Sequence, residues 1–148
     1  MGRLLGLDYG SKTVGVSVSD PLFLTAQPVG TVWREKENHL RKTMKRIQEI
    51  VSEYQVSEIV LGCPRNMDGS YGERFEKTQE FSEMLKNRFP EIPVIMWDER
   101  LTTSQAEQAL MEGGVRRENR KQYLDSMAAV LILQNYLDYR SIQKDDSE

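Results

Sequence analysis

Two apolar runs joined by a glycine-containing turn begin the chain and determine how its sheet must start. The first run covers residues 4–7, and the second alternates Val14, Val16 and Val18 with small residues. Runs of this length and period are typical of β-strands, and a turn this short makes the two strands antiparallel. Asp8 lies where the first run meets the turn. The sequence therefore predicts a β-hairpin that carries a carboxylate at the end of its first strand.

The surroundings of Asp8 are those of a hydrolase site. Gly10 and Gly15 let backbone approach closely, and a carboxylate beside exposed backbone suits a hydrated divalent cation that must contact a phosphate. The alternative is a turn aspartate that hydrogen-bonds its own backbone.

The remaining periodicities predict an α/β fold. Further strands are expected at 28–33, 58–61 and 94–97, and helices at 40–54, 74–88, about 104–113, and from Tyr123 onward, with a polar loop over 65–73. Three antiparallel strands followed by alternating helix and strand make a mixed five-stranded sheet flanked by helices. In such sheets ligands bind beyond the carboxyl ends of strands, at a switch in strand order.

Length and composition favour a single cytoplasmic domain. The 148 residues suit one domain over residues 1–140, followed by an acidic end over 141–148 that we expect to fray. No run is apolar enough to span a membrane, and the first residues do not form a secretory signal. Cys63 is the only cysteine, which excludes internal disulfides and a cysteine-built zinc site, and we expect it to be a structural thiol.

Charge must act locally if the chain binds a polyanion. The net charge is −3, which excludes the global positive field of a non-specific nucleic-acid binder. One basic cluster, at 41–46, is interpreted as the solvated face of a helix. A second, with Arg116 and Arg117, follows Gly113-Gly114 in a predicted loop and is a candidate substrate contact.

Carboxylates from three segments can form one acidic cluster if the sheet brings them together. Asp8 ends the first strand, Asp98 and Glu99 follow the fifth, and Asp125 lies in the predicted first turn of the last helix. Successive strand residues alternate faces, so we favour Glu99 and keep Asp98 in reserve. Oxygen ligands select Mg²⁺ or Mn²⁺, and two such ions promote in-line phosphodiester cleavage. The alternative for Asp125 is stabilisation by the helix dipole.

Candidate phosphate contacts surround these carboxylates. Lys12 lies in the first turn, and Arg100 and Thr102 precede a helix whose N-terminus would attract anions. The alternative for Thr102 is simple helix capping. Other chemistries lack residues: His39, the single histidine, is placed on the charged side of a helix, and no phosphate-loop or dinucleotide motif occurs.

Four segments in order resemble the YqgF (RuvX) family of Holliday-junction-resolvase-like proteins. They are residues 8–20, 62–70, 98–103 and 125–129. The resemblance implies a ribonuclease H-like fold, a bacterial cytoplasmic location, and a nuclease that matures the 5′ end of precursor 16S ribosomal RNA. Carried over by motif, Asp8, Glu99 and Asp125 form the metal triad. Ser17 and Cys63 stand where the family more often has small or aliphatic apolar residues, and these mild departures leave the acidic positions unchanged.

Three other functions are compatible with these residues. Cleavage of branched DNA is the first, and a stable dimer would favour it because a resolvase needs two active sites. A nucleotide-binding protein of the actin and sugar-kinase type is the second, although those proteins use two lobes. The third is a ribosome-assembly factor that binds RNA without cutting it.

Overall fold

The hairpin predicted at the start of the chain is present in the computed structural model, which describes residues 2–10, 12–36, 39–63, 72–98 and 120–146. The elements are β1 (Arg3–Tyr9), β2 (Thr13–Ser19), β3 (Ala26–Trp33), α1 (Arg41–Tyr54), β4 (Val56–Cys63), α2 (Glu73–Arg88), β5 (Val94–Asp98) and α3 (Arg120–Asp146). The helix predicted over about 104–113 and most of the 65–73 loop lie outside the described residues.

The five strands form one mixed sheet, as predicted. Their order is β3-β2-β1-β4-β5, with β2 antiparallel to both neighbours and β1, β4 and β5 parallel to one another. β1, β3, β4 and β5 therefore all end on the same side. We call that side the carboxyl edge and the side where these strands begin the amino edge.

One face of the sheet packs against α1 and α2. Alternate residues of β1, among them Leu5, Leu7 and Tyr9, share this core with Ile47 of α1 and Phe81 of α2. All of them are buried because a strand presents every second side chain to the same layer.

The other face packs against α3. Leu4 of β1 and Val60 of β4 lie in a second core with Ile132, Leu133 and Leu137 of that helix. The sheet is covered on both faces, which explains the nearly continuous apolar character of its central strands.

Several boundaries differ from the prediction. α3 begins at Arg120 instead of Tyr123, and it continues to Asp146, so the predicted domain boundary at residue 140 falls within a helix. His39 precedes α1 and does not lie on a helix, because α1 begins at Arg41. The fraying expected at the acidic end stays a prediction.

The third strand begins at Ala26, two residues before the predicted start. It continues through Pro28, whose missing N–H does not interrupt the sheet because β3 is an edge strand. The pairing of β2 with β3 also shifts register between Val16 and Ser17. A bulge at this position is consistent with a proline in an edge strand.

Candidate functional site

Asp8 is the penultimate residue of β1 and lies at the carboxyl edge. It is partly buried and pairs with Gly15 across the hairpin. Residues 4 and 6 of the same strand pack against α3, whereas Tyr9 lies in the opposite core. Strand alternation therefore places Asp8 on the sheet face that α3 covers.

α3 approaches β1 more closely than ordinary side chains would allow. A Cβ on Gly6 would meet Ser17 Oγ and would lie only 2.8 Å from Leu133 Cβ and 3.0 Å from the Ala129 carbonyl oxygen. The Ser17 hydroxyl donates a 2.8 Å hydrogen bond to that carbonyl. The buried small residues Ser126, Ala128 and Ala129 fit this contact, because their short side chains let the helix approach the sheet.

The direction of α3 places the position of Asp125 at the carboxyl edge. Ala129 contacts the middle of the hairpin, and Gln134, farther along the helix, accepts a 2.9 Å hydrogen bond from the Ala26 N–H at the amino edge. The helix therefore runs antiparallel to β1. Asp125 precedes Ala129 by one turn, which is about 6 Å along the helix axis. The strand covers about the same distance in the two residues from Gly6 to Asp8, so the backbone position of Asp125 is level with Asp8.

The longer helix removes one alternative for Asp125. This residue is the sixth of α3, and the first turn of α3 contains no acidic residue. The prediction that Asp125 lies in the first turn is therefore wrong, because the helix begins three residues before Tyr123. Stabilisation by the helix dipole, which decays within the first turn, no longer explains the residue.

The end of β5 reaches the same edge. Asp98 is its last residue and pairs with Cys63 of β4, so β5 ends about two strand spacings, roughly 10 Å, from β1. Trp97 packs edge-on against Tyr136 of α3, with ring centroids 5.4 Å apart. The α3 side of the sheet therefore receives the odd-numbered positions of β5.

The structure describes part of the predicted site. Lys12 is exposed in the hairpin turn. The side chains of Asp98 and Asp125 lie outside the described part, as do five whole residues: Glu99, Arg100, Thr102, Arg116 and Arg117. Among the described side chains no group of three potential metal ligands occurs. The assignment of these residues to a metal site and to substrate binding stays a prediction.

Arg34 is a residue of this region that the sequence did not single out. Its side chain is 8% exposed, and its guanidinium carbon lies 4.8 Å from the centre of the Tyr9 ring. Nη2 donates to the Gly10 carbonyl, and the Arg34 backbone N–H donates a 2.9 Å hydrogen bond to the Lys12 carbonyl. Arg34 therefore holds the turn that follows Asp8.

The Tyr9 ring supports the same turn from the core side. It stacks on Phe81 with centroids 4.2 Å apart and planes 8° apart, and the Arg74 guanidinium lies 4.9 Å from its centre. The quadrupole of the Tyr9 ring attracts both guanidinium groups electrostatically, which stabilises this arrangement. The one sequence signal for Arg34 is its place directly after the strand that pairs with β2, which is too general to single it out.

Two side chains with displaced pKa values lie at the amino edge. The pKa of Asp20 is lowered, chiefly by the hydrogen bond from the Thr25 N–H, with the Leu24 and Leu22 N–H groups adding to the effect. Burial, followed by a 2.9 Å hydrogen bond to Glu58, raises the pKa of Tyr136 to about 12. Both groups close polar networks within the fold.

The described helices include none with the length and apolar character needed to span a membrane.

Sequence comparison places the whole domain in one family. The RuvX family profile, described as Holliday junction resolvase, matches residues 2–139. A protein of Agathobacter rectalis named "Putative pre-16S rRNA nuclease" is 58% identical over 139 residues, covering 94% of this chain and 96% of the relative. A Listeria monocytogenes protein with the same name is 49% identical, covering 92% and 97%.

Structural comparison gives the same fold. RuvC of T. thermophilus, in complex with a Holliday junction substrate, superposes with a TM-score of 0.56 at 15% identity and covers 95% of this chain and 96% of its own. The yeast mitochondrial Holliday junction resolvase Ydc2 gives 0.60 at 12% identity, covering 97% and 81%. These neighbours confirm the predicted ribonuclease H-like fold. With a matching profile over nearly its whole length and relatives near 50% identity, this chain belongs to the RuvX (YqgF) family.

Proposed function

We propose that this protein is a metal-dependent nuclease that cleaves precursor 16S ribosomal RNA during 5′-end maturation, in the bacterial cytoplasm. The observation that carries the proposal is the convergence of three segments at the carboxyl edge. The end of β1 with Asp8, the end of β5, and the N-terminal half of α3 meet there. The names of the relatives indicate RNA as the substrate.

The donor set fits a hard divalent cation. Asp8, Glu99 and Asp125 are carboxylates, and all-oxygen ligation selects Mg²⁺ or Mn²⁺ over softer metals. When bound, such ions supply an activated water and stabilise the leaving oxygen of the phosphodiester.

The protein's own part is to hold these carboxylates in place. The contact of α3 with Gly6 keeps the helix position of Asp125 level with Asp8. Arg34 fixes the turn after Asp8, which also carries the exposed Lys12. We assign phosphate binding to Lys12, Arg100, Thr102, Arg116 and Arg117.

Cleavage of branched DNA is the second candidate function. Its support is the family description as Holliday junction resolvase and the shared fold of RuvC bound to a junction. A resolvase cuts two strands symmetrically and so needs two active sites, usually in a dimer. A monomer in solution would therefore count against this candidate.

The test compares cleavage of a precursor 16S ribosomal RNA fragment with cleavage of a four-way DNA junction, each with Mg²⁺, Mn²⁺ or chelator. The variant Asp8→Asn keeps the side-chain shape and removes the charge, so we expect a loss of cleavage of about 100-fold or more. Asp20→Asn is the matched control, because it makes the same chemical change in a turn at the amino edge. We expect it to retain activity.

Each outcome favours one of the candidate functions. RNA cleavage that needs metal and Asp8 supports the proposal, and junction cleavage with the same requirements supports the second candidate. If neither substrate is cut, or Asp8→Asn is as active as the control, the metal-site proposal fails. A non-catalytic RNA-binding role then becomes the better interpretation.

A further inference from the structure

The solvent face of α1 carries its charges in the order that opposes the helix dipole. Its first half contains Arg41, Lys42, Lys45 and Arg46, its second half contains Glu49 and Glu53, and all six are exposed. Helices are stabilised by acidic residues near the N-terminus and basic ones near the C-terminus. The first turn of α1 has no acidic residue, its last turn has no basic one, and Leu40 provides no side-chain cap. Helix stability therefore does not explain this arrangement.

The topology places the basic half of α1 at the carboxyl edge. α1 follows β3, which runs parallel to β1, so the helix starts on the side of Asp8. It ends at the amino edge, where the Gln55 carbonyl accepts a 3.2 Å hydrogen bond from the Arg3 N–H. The charge order along α1 thus concentrates positive charge at the carboxyl edge, the edge at which Asp8 also lies.

Three of these cations are available to a ligand. Arg46 forms a 3.2 Å ion pair with Glu49, but within the described residues Arg41, Lys42 and Lys45 lie in no ion pair. All three line an open groove of about 1160 Å³, which also contains Arg88 of α2 and, toward the end of α1, Glu49 and Glu53. Arg41 and Lys45 are one turn apart, about 6 Å along the helix, so they can contact neighbouring phosphates of one strand.

An exposed indole lines a second concavity that adjoins the basic end of this groove. Arg41 and Lys42 also line this second concavity of about 540 Å³, which includes Trp33, His39 and one opposing charge, Glu35. Trp33 is 53% exposed and pairs with Thr13, the residue after Lys12. Large aromatic side chains beside a basic groove are the usual platform on which unpaired bases stack.

We propose that Trp33 and three cations of α1, Arg41, Lys42 and Lys45, bind a single-stranded RNA segment at the carboxyl edge, where the candidate cleavage site lies. Trp33 stacks on one unpaired base, and Arg41, Lys42 and Lys45 contact the phosphates that follow it. An unpaired strand is required, because a paired base does not offer its face to an indole. The identity of this strand as substrate rests on the proposed function, but the binding itself requires no cleavage.

The first experiment measures RNA binding by tryptophan fluorescence in chelator, with the full chain and a mixed-sequence RNA of about 12 nucleotides. The chain has two tryptophans, Trp33 and Trp97, and Trp97 packs against Tyr136 and Tyr139 of α3. We expect RNA to quench the fluorescence of the wild type and of Trp97→Phe. Trp33→Ala loses this quenching and binds about 10-fold more weakly, as measured separately by anisotropy of labelled RNA.

The second experiment measures how binding depends on salt. Lys42→Gln/Lys45→Gln removes two proposed phosphate contacts, so the slope of log K against log salt falls by about 1.4. The control Arg46→Gln/Lys86→Gln removes the same charge from two residues that lie in ion pairs and do not line the groove. We expect the slope of this control to stay near that of the wild type.

The binding proposal is overturned if Trp33→Ala binds RNA as the wild type does, or if the two double variants have equal slopes. Preference for an RNA duplex of the same sequence, or competition by an acidic peptide as effective as unlabelled RNA, overturns it as well. These outcomes are separate from cleavage. Binding that depends on Trp33 in a protein that cuts neither nucleic acid would keep this inference and reject the nuclease proposal.

Discussion

The two edges of the sheet use polar groups in opposite ways. At the amino edge they satisfy one another: the Asp20 carboxylate accepts three backbone N–H groups, and Glu58 accepts from both Tyr136 and Arg140. At the carboxyl edge the side chains of Lys12, Trp33, Arg41 and Lys42 are exposed. The closed networks serve the fold, whereas ligand binding is our proposal for the exposed cations and the indole at the carboxyl edge.

The two halves of α1 repeat this difference on a single helix. Its apolar side is uniform, with Met44, Ile47 and Ile50 buried along the same core. Its solvent side changes from basic at the carboxyl edge to acidic at the amino edge. Burial therefore determines one face of the helix, and RNA binding at the carboxyl edge is our proposed reason for the order of charges on the other.

The largest effect is expected from substitution of Gly6. At this residue α3, the helix that runs between the two edges, packs closely against β1. Gly6→Val places side-chain carbons against Leu133 and Ala129, so α3 must move away from β1. We expect a loss of about 3 kcal/mol in the free energy of unfolding, measured with urea, and a loss of cleavage because the position of Asp125 moves with the helix.

Ser17→Ala sharpens this prediction at the same contact. It removes the hydrogen bond to the Ala129 carbonyl without adding volume, at a cost of about 1 kcal/mol, and cleavage should persist. A Gly6→Val variant with full stability and activity would show that α3 does not depend on this approach.

Substitutions of Arg34 test whether the turn after Asp8 contributes to ligand binding at the carboxyl edge. Arg34→Ala removes the donor to the Gly10 carbonyl and loosens the turn after Asp8, so we expect Mn²⁺ affinity by calorimetry to fall about 10-fold. Arg34→Lys should not restore it, because an ammonium group lacks the planar fork of guanidinium. Unchanged metal affinity in a variant of lowered stability would assign Arg34 to the fold alone.

Asp20 should give the smallest effect, confined to stability. Its lowered pKa means that the folded state favours the carboxylate, so the stabilisation is present above the ordinary value of 3.8 and is lost as the pH falls through the folded value. Asp20→Asn should therefore lower the melting temperature slightly at pH 7. The difference from wild type should shrink below pH 3.8. A difference that grows in acid would contradict this sign.

Local patterns were sufficient for most of the fold. The alternation in β2 and the three- and four-residue spacing in α1 predicted those elements, because periodicity reflects which side of an element is buried. The boundaries were less accurate. The start of α3 was predicted three residues late because its first residues carry little apolar periodicity, whereas the tertiary structure extends the helix to Arg120.

The sequence by itself determined the elements, their order, and the carboxylates that the family motifs mark. Only the tertiary structure decided which of these residues meet. Register and crossover direction place Asp8 and α3 on one face, bring Arg34 to the turn, and turn the basic half of α1 toward the carboxyl edge. The physical reason is that periodicity records burial along one element, whereas the meeting of distant residues depends on strand pairing and close packing, as at Gly6.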